Sequence, residues 1–519
     1  MIEHYQLFVP ALIFLPAVLG FVGCFLPRII FPLAVAMLLA YAGISYELIG
    51  SGSAFAFTLV GVGGIQFSVD QYCFPLVFGS SITLLISFGL FARRFSHYFY
   101  QVCLVLFTAL LISFSTVDLV SMFIALELLG FSAFLLIADR NDQKSLFHAF
   151  QYLIGGGLAM LIFLVGVIQA FTFTGSFLLE DLVRAPDTAL CLIIAGLLTK
   201  SGVFLCGLWV PNIYSHANCQ SSAILSGCVT CAAIAPIARM SLILEPISDS
   251  LVVIGVISAV VGAIYAVFER ESGRALGWSS VSQLGIAILS PTYACTYAMQ
   301  HGICKALLFS TLHSDHSDKA AAFSTHSHGH GHVSGHVATE NVLPIEELFR
   351  VIVFVVASLS IMGFPFLTGF VTKNWIKIDL PYEAKIIYNT AALLTATVYA
   401  RVVFDRVSAF VRHPHFKPAL MLSRFSRNAI DAISSPKCLI LLVSILSLVA
   451  FSFISPDLYT SYSIQSAVVS AILGGVLFVS VVGIQADEFV KPVTRTLDLV
   501  GAPFLVAALL LANLLYLKI

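Results

Sequence analysis

Residues 118–138 form an apolar run with a carboxylate near its centre, in the stretch Phe123-Ile124-Ala125-Leu126-Glu127-Leu128-Leu129-Gly130. About twenty apolar residues are enough for a helix to cross the hydrocarbon core of a membrane. A charge at the bilayer centre costs about 2.5–3.5 kcal/mol even on the most lenient scale, so an ionisable residue there indicates function. The run therefore predicts a membrane helix whose carboxylate has a functional role.

Similar apolar runs follow one another along the chain. Of its 519 residues, 59% are hydrophobic and only 10% charged, whereas soluble globular proteins carry roughly 25% charged residues. Hydropathy places spans near 8–25, 29–48, 74–92, 99–115, 118–138, 148–172, 189–208, 219–240, 251–268, 275–291, 296–313, 350–372, 386–406, 437–455, 465–483 and 499–517. We therefore expect an all-α, polytopic transmembrane helix bundle of about 14–16 helices.

The basic residues indicate how these spans are oriented. They gather in alternate loops, after odd-numbered spans, for example at Arg28, at Arg93 and Arg94, and at Arg140 and Lys144. Cytoplasmic loops of membrane proteins carry an excess of lysine and arginine. The pattern predicts that both termini face away from the cytoplasm. The net charge of -1 gives no reason to expect a nucleic-acid partner.

Three lysines join Glu127 inside apolar segments: Lys200 in Leu198-Thr199-Lys200-Ser201-Gly202, Lys305 in Cys304-Lys305-Ala306-Leu307, and Lys373 in Gly369-Phe370-Val371-Thr372-Lys373. One carboxylate cannot neutralise three lysines. Burial disfavours the ammonium form and a nearby carboxylate favours it, so a lysine under both influences can gain and lose a proton. This is the property that a proton relay needs. The alternative is snorkelling at a helix end or a static ion pair, above all for Lys373, which lies close to a predicted end.

Helix-breaking residues accompany two of these lysines. Pro211 follows Lys200, and Gly363 and Pro365 precede Lys373. Interrupted helices at membrane depth face protein or a wet cavity, and they are typical of ion sites in transporters. The two lysines lie five spans apart, so their helices run in opposite directions and predict two inverted-topology repeats, each with a broken helix. An ordinary kink is the alternative for each proline.

Two predicted cytoplasmic loops have unusual compositions. Residues 313–336 hold a histidine tract, His313, His316, His326, His328, His330, His332 and His336. Such a tract can bind zinc or nickel or respond to pH, or it is a solvated loop without a core. The second loop, residues 407–436, mixes basic and apolar residues and suits an amphipathic helix on the cytoplasmic face. We predict no metal site within the membrane.

Five segments resemble the antiporter-like family shared by the proton-pumping subunits of respiratory complex I and the Mrp-type sodium/proton antiporters. The matching segments are Phe123 to Ile137 around Glu127, Leu198 to Pro211 around Lys200, Ser279-Ser280-Val281-Ser282-Gln283-Leu284-Gly285, His301 to Leu308 with His301 and Lys305, and Gly363 to Phe370 with Lys373. They run in family order from about residue 117 to 375. One such match would be weak, and together they are specific.

The resemblance implies a proton relay through Glu127, Lys200, His301, Lys305 and Lys373, hydrated by internal water. It implies other membrane subunits as partners, protons as the transported ion, with or without sodium, and neither a cofactor nor a catalytic site in this chain. It also divides the chain into N-terminal helices (1–116), a first antiporter-like repeat (117–250), a second repeat (251–406), and a basic loop with C-terminal helices (407–519).

The sequence departs from the family pattern at three positions. Cys231 stands where a lysine or histidine is frequent, Gln151 replaces a frequent lysine, and Asn212 replaces a usual aspartate. A relay with fewer charges indicates altered coupling. Ser226-Gly227 resembles the Mrp branch slightly more.

The leading hypothesis is a proton-translocating subunit of an Mrp-type cation/proton antiporter in the inner (cytoplasmic) membrane, with or without sodium exchange. The alternative is a proton-pumping subunit of NADH:quinone oxidoreductase. A haem- or quinone-bearing redox enzyme would need paired intramembrane histidines, and we expect no facing pair among His97, His148, His216 and His301. A structural subunit with a decayed relay would transport normally after Lys200→Ala.

Overall fold

The computed structural model describes residues 2–60, 65–89, 97–139, 142–203, 206–312, 345–412, 436–453 and 455–482. Within these ranges the chain is almost entirely helical, with 18 α-helices. They are α1 (Ile2–Phe25), α2 (Ile30–Leu48), α3 (Cys73–Gly89), α4 (His97–Ser115), α5 (Leu119–Ile137), α6 (Gln143–Thr174), α7 (Asp187–Ser201), α8 (Val210–His216), α9 (Cys219–Ile224), α10 (Ile234–Ile243), α11 (Glu245–Phe268), α12 (Ser272–Ala287), α13 (Ala294–Thr311), α14 (Ile345–Met362), α15 (Thr368–Asp379), α16 (Tyr382–Val411), α17 (Pro436–Ala450) and α18 (Ser461–Val482).

The helices confirm the all-α, polytopic prediction. Each predicted span from 8–25 to 465–483 coincides with a helix or with consecutive helices, and the span near 499–517 lies outside the described residues. Eight segments in the described ranges are long and apolar enough to cross a membrane on their own. The relation of the two halves as inverted repeats stays a prediction.

Three predicted spans are interrupted. The span near 189–208 contains α7 and a break, after which α8 begins. The span near 350–372 separates into α14 and α15. In the span near 219–240, a π-helix, Leu225–Val229, lies between α9 and α10. In the π-helix, Gly227 lies against α13, where a Cβ atom on Gly227 would come within 2.8 Å of the Gly302 carbonyl oxygen. π-Helical turns are frequent at functional sites. The sequence predicted the first two interruptions and not the third.

An antiparallel β-hairpin, β1 (Phe55–Val60) with β2 (Ile65–Val69), connects α2 to α3. We did not predict it. The hairpin helps to hold the start of α5, because the Gln66 amide donates to the Asp118 carboxylate at 3.2 Å. The same carboxylate caps α5 by accepting from the Ser121 amide at 2.7 Å. The hairpin thus fixes the end of the helix that carries Glu127.

Helix α13 lies at the centre of the bundle, in contact with α3, α9, α12, α14 and α15. Its side chains are buried along the whole stretch from Tyr297 to Thr311. Three polar residues, Gln300, His301 and Lys305, are buried with them. Buried polar groups cost free energy unless they find partners. A helix that served only for packing would not need these three polar side chains.

Candidate ion-transfer site

The first helix break directly follows Lys200, which lies in the last turn of α7. Gly202 ends the helix with a φ of +68°, a left-handed conformation that favours glycine. A Cβ atom on Gly207 would lie only 2.0 Å from the Gly202 carbonyl oxygen, so the two glycine backbones touch. Pro211 occupies the start of α8, where proline is compatible with a helix. The two glycines form the break, and Pro211 begins the second half-helix.

Lys200 and Glu127 form an ion pair between α7 and α5. The ammonium nitrogen lies 3.7 Å from the carboxylate, and the two side chains are 5% and 27% exposed. Two glycines leave room for the ammonium group, because a Cβ atom would lie 3.0 Å from it on Gly130 and 3.4 Å from it on Gly156. Lys200 is therefore enclosed by protein, whereas Glu127 is partly exposed at the protein surface.

Lys305 lies on α13, is 0% exposed, and has no carboxylate within 4 Å among the described residues. Its ammonium donates to the Leu276 carbonyl oxygen at 2.7 Å and lies 5.6 Å from the centre of the Tyr399 ring. His301 precedes Lys305 by one helical turn and is 1% exposed. Neither ring nitrogen of His301 has a hydrogen-bond partner among the described residues. A buried lysine and an unpaired histidine on one face of α13 form an incomplete polar site.

Lys373 lies at the sixth position of α15, on the far side of the second break. The predicted span over 350–372 is interrupted, because Gly363, with a φ of +86°, ends α14, and Lys373 lies on the half-helix that follows. Pro365 lies in the linker between the two half-helices. The Lys373 ammonium reaches back across the break to within 3.4 Å of the Met362 carbonyl oxygen, and the residue is 8% exposed. Lys373 therefore contacts the end of the preceding half-helix and does not snorkel.

Hydroxyl groups line the region between Lys305 and the first broken helix. The Leu276 carbonyl that accepts from Lys305 also accepts from the Ser280 hydroxyl at 3.1 Å. Ser280 and Ser226 lie 3.0 Å apart, and the Ser226 carbonyl accepts from Thr230 at 3.2 Å. Thr230 in turn lies 3.5 Å from the Tyr214 hydroxyl on α8. Hydroxyl groups thus extend from the Lys305 ammonium towards the Lys200 half of the bundle.

Helix α13 also links Lys305 to the second break. The Gln300 amide donates to Cys304 and to Ser360 on α14, at 3.2 and 3.3 Å. A Cβ atom on Gly369 would lie 1.7 Å from the Ser360 carbonyl oxygen, so α14 and α15 touch at this point. Lys305 is therefore next to a packed junction of three helices, and Lys373 lies on one of them.

The sequence did not identify the neutral members of this site. Ser226, Ser280, Thr230 and Tyr214 carry no charge, and serine, threonine and tyrosine are common in membrane helices. Ser280 lies within a segment quoted for the family resemblance, which was the one available signal. Tyr152 was missed as well: its hydroxyl is buried and has no hydrogen-bond partner in the part of the chain that the structure describes.

The prediction of no facing histidine pair was wrong. The rings of His148, on α6, and His216, at the end of α8, are in contact, with centroids 4.2 Å apart and planes tilted by 36°. Rings in such close contact leave no space for a haem macrocycle between them, so this pair gives the redox hypothesis no support.

Two predicted features are outside the described residues: the histidine tract at 313–336 and residues 413–435 of the basic loop. Residues 407–411 continue α16, which ends beyond its predicted boundary. In the described ranges no group of three or more histidine, cysteine, aspartate or glutamate residues is placed to hold a metal ion.

Several known proteins are similar to this chain in sequence. NADH-quinone oxidoreductase subunit N of Desulforudis audaxviator is 28% identical over 372 residues, which cover 66% of this chain and 72% of the relative. NADH-quinone oxidoreductase subunit N 2 of Rhizobium meliloti is 26% identical over 344 residues, 62% of this chain and 70% of the relative.

Two solved structures share the fold. One is the membrane-bound sulfane sulfur reductase, described as an archaeal respiratory membrane complex, with a TM-score of 0.67, 16% identity, and coverage of 92% of this chain and 99% of the matched chain. The other is the Mrp complex from Dietzia sp., with a TM-score of 0.63, 19% identity, and coverage of 93% and 98%.

The family model described as "NADH:quinone oxidoreductase/Mrp antiporter, TM" matches residues 116–398. The matched region is more than half of the chain, and it contains Glu127, Lys200, Lys305 and Lys373 together with both helix breaks. The chain belongs to the NADH:quinone oxidoreductase/Mrp antiporter family of membrane proteins.

Proposed function

We propose that this chain is a proton-translocating subunit of a multisubunit complex in the cytoplasmic membrane. The observation that carries the proposal is the pairing of Glu127 with Lys200 beside a helix break, at 3.7 Å. An intramembrane ion pair is costly and usually marks an ion or proton pathway. In this proposal, regions 117–250 and 251–406 each supply half of the pathway.

Protons would pass between the halves through internal water beside the hydroxyl groups. Lys200 would release its proton when it separates from Glu127 and take one up when the pair closes again, because a nearby carboxylate favours the ammonium form. Buried polar atoms without protein partners are usually satisfied by buried water. The Tyr152 hydroxyl and both ring nitrogens of His301 are such atoms, so water at these points would complete the relay to Lys305 and Lys373.

Partner subunits are supported by the surface around Glu127. The face of α5 and α6 that carries this partly exposed carboxylate is otherwise apolar, with Ile124, Phe131 and Ile154 each more than half exposed. A carboxylate that faces lipid tails is costly. A neighbouring membrane subunit that covers this face would remove the cost, as we propose here.

Two kinds of complex are candidates. The names of the sequence relatives favour the NADH:quinone oxidoreductase branch, which the sequence analysis kept as the alternative. The structural likeness to an Mrp complex over nearly the whole chain favours an Mrp-type antiporter as the second candidate. The two differ in driving force: quinone reduction in the first and exchange for sodium in the second.

Proteoliposomes with the native complex, purified through an affinity tag on this chain, would test the function. We expect the lumen of the vesicles to change pH when the complex is driven, with Lys200→Ala as the negative control. NADH plus quinone would drive the first candidate, and an imposed sodium gradient the second. Equal pH changes in wild-type and Lys200→Ala vesicles under both conditions would contradict proton translocation by this chain.

A side chain at Gly130 should impair the ion pair. Valine at this position would place its Cβ atom 3.0 Å from the Lys200 ammonium and displace that group from Glu127. We expect proton uptake to fall by roughly 10- to 100-fold, the usual cost of misplacing a reacting group by about 1 Å. Gly157→Val is the matched control, because a Cβ atom there has nothing within 4 Å. Similar losses in both variants would instead indicate a general effect of valine in these helices.

A further inference from the structure

The linker of the second helix break contains a strained residue. Helix α14 ends at Met362, and α15 begins at Thr368. Between them, Phe366 has a φ of +66°, and it is the one non-glycine residue with a positive φ in the described ranges. A bulky side chain disfavours this left-handed conformation, because its Cβ atom lies too close to the following carbonyl oxygen. Such strain persists only where the surrounding contacts hold it, and it occurs often at functional sites.

The contacts that hold Phe366 are aromatic. Its ring stacks on the Tyr459 ring, with the centroids 5.6 Å apart and the planes tilted by 18°. Phe370, in the first turn of α15, stacks on the same tyrosine at 4.9 Å and 27°. Aromatic rings at such distances attract each other beyond the effect of buried area. Tyr459 thus contacts both the linker and the half-helix that carries Lys373.

Tyr459 is itself fixed in the connection between α17 and α18. Its hydroxyl donates to the Ser452 carbonyl oxygen at 2.9 Å and lies beside the Phe366 backbone. Next to this contact, the Thr368 hydroxyl donates to the Leu448 carbonyl oxygen on α17. The start of α15 is therefore attached to the C-terminal helices by both ring stacking and hydrogen bonds.

The path of the linker determines where Lys373 lies. A Cβ atom on Gly363 would come within 3.0 Å of the Lys373 Cδ atom, so the aliphatic part of the lysine lies against the linker. The ammonium group lies 3.4 Å from the Met362 carbonyl oxygen. The Phe364 amide donates to the Leu359 carbonyl oxygen at 3.0 Å, which holds the start of the linker on α14. A linker with a different path would remove the surface against which Lys373 lies.

We propose that Tyr459 is a positioning residue for Lys373. It holds Phe366 in the left-handed conformation, and so keeps the Lys373 ammonium at the end of α14. Tyr459 lies beyond residues 116–398, which the family model matches. In this inference the C-terminal helices therefore take part in the ion-transfer site of the second half. The inference rests on the proposed function.

Two substitutions of Phe366 in the native complex distinguish positioning from ordinary packing. Phe366→Ala removes the ring and keeps the unfavourable φ. Phe366→Gly removes both the ring and the strain, because glycine adopts a positive φ readily. A role in apolar packing alone predicts that glycine is no better than alanine. Positioning predicts that alanine is the more harmful of the two.

Two substitutions of Tyr459 test the other side of the contact. Tyr459→Phe keeps the ring stack, and Tyr459→Leu removes it. Tyr382→Leu is the matched control, because Tyr382 is 78% exposed at the start of α16. Assembly of each complex would be checked by size-exclusion chromatography before the measurements.

The position of Lys373 would be measured separately from transport. Its reaction with acetic anhydride would be followed by mass spectrometry, with the exposed Lys144 as the internal reference. Initial rates of proton uptake would be measured in proteoliposomes. The left-handed conformation costs a non-glycine residue about tenfold in an equilibrium constant. We therefore expect Phe366→Ala and Tyr459→Leu each to raise the labelling of Lys373 about tenfold and to lower proton uptake about tenfold, since a reacting group is misplaced.

The remaining variants should show smaller changes. Phe366→Gly and Tyr459→Phe should lie closer to wild type than Phe366→Ala and Tyr459→Leu do, in both measurements. Tyr382→Leu should match wild type.

Three outcomes would overturn the inference. They are wild-type labelling of Lys373 in both Phe366→Ala and Tyr459→Leu, a larger effect of glycine than of alanine at position 366, and increased labelling with unchanged uptake. Lys200→Ala separates this inference from the proposed function. Where it abolishes uptake and Phe366→Ala matches wild type, the Tyr459 inference alone fails. Where Lys200→Ala leaves uptake unchanged, the proposed function fails.

Discussion

Lys305→Met should lower proton uptake by the native complex about a hundredfold or more, the usual contribution of a proton-transfer group, without lowering its thermal stability. Lys305 lies in the centre of the bundle, where its ammonium shares the Leu276 carbonyl oxygen with the Ser280 hydroxyl, and no described carboxylate lies within 4 Å of it. Methionine has a similar length and shape but binds no proton. The Leu276 carbonyl keeps a hydrogen bond, because Ser280 continues to donate to it.

The thermal stability of the Lys305→Met complex distinguishes a role of Lys305 in proton transfer from a role in packing. Replacing a buried ionic group by an apolar side chain of similar volume is often neutral or stabilising. We therefore expect the midpoint of thermal unfolding of the complex to stay the same or to rise. Lys144→Met, at an exposed lysine at the start of α6, is the control for the change in residue type. A Lys305→Met complex that unfolds earlier and pumps at the wild-type rate would show that Lys305 serves packing and not proton transfer.

Charge and hydropathy predicted the helical fold and the four ionisable residues because both signals are local. Glu127 and Lys200 stand out within apolar segments, and a reader of the sequence can find them without knowing their neighbours. Their pairing at 3.7 Å depends on how α5 and α7 pack, and no local pattern reports it. The same limit explains why the contact of His148 with His216 was not foreseen: one lies on α6, the other on α8.

The sequence predicts that these helices are broken better than it predicts at which residue each helix ends. Glycine and proline near Lys200 and Lys373 indicated interruptions, but several such residues occur in each segment. Which one ends the helix depends on backbone contacts, such as the approach of Gly207 to the Gly202 carbonyl. The span over 350–372 was predicted to be broken near Gly363 and Pro365, and the structure ends α14 at Met362 and begins α15 at Thr368. The β-hairpin was missed because a search for apolar segments of about twenty residues passes over strands of five or six.

Glu127→Gln and Lys200→Met should each abolish proton uptake, and the double variant should recover stability but not transport. Each single change leaves one ionisable partner inside the membrane without its counter-charge. Removing one partner of a fully buried pair costs about 3–5 kcal/mol, and the cost here should be smaller, about 1–3 kcal/mol, because Glu127 keeps some exposure. The double variant leaves neither charge behind, so its unfolding midpoint should lie above those of both singles.

The double-mutant cycle distinguishes a relay from a structural ion pair. For a structural pair, the double variant would recover proton uptake together with stability, because both would depend on the same packing. For a relay, the double variant stays inactive at every pH, since no titratable group remains at this point of the pathway. Unfolding midpoints and uptake rates of the four proteins would be measured on the same preparations. Purely additive losses of stability would show that the two side chains do not interact energetically, and the 3.7 Å contact would then carry no coupling.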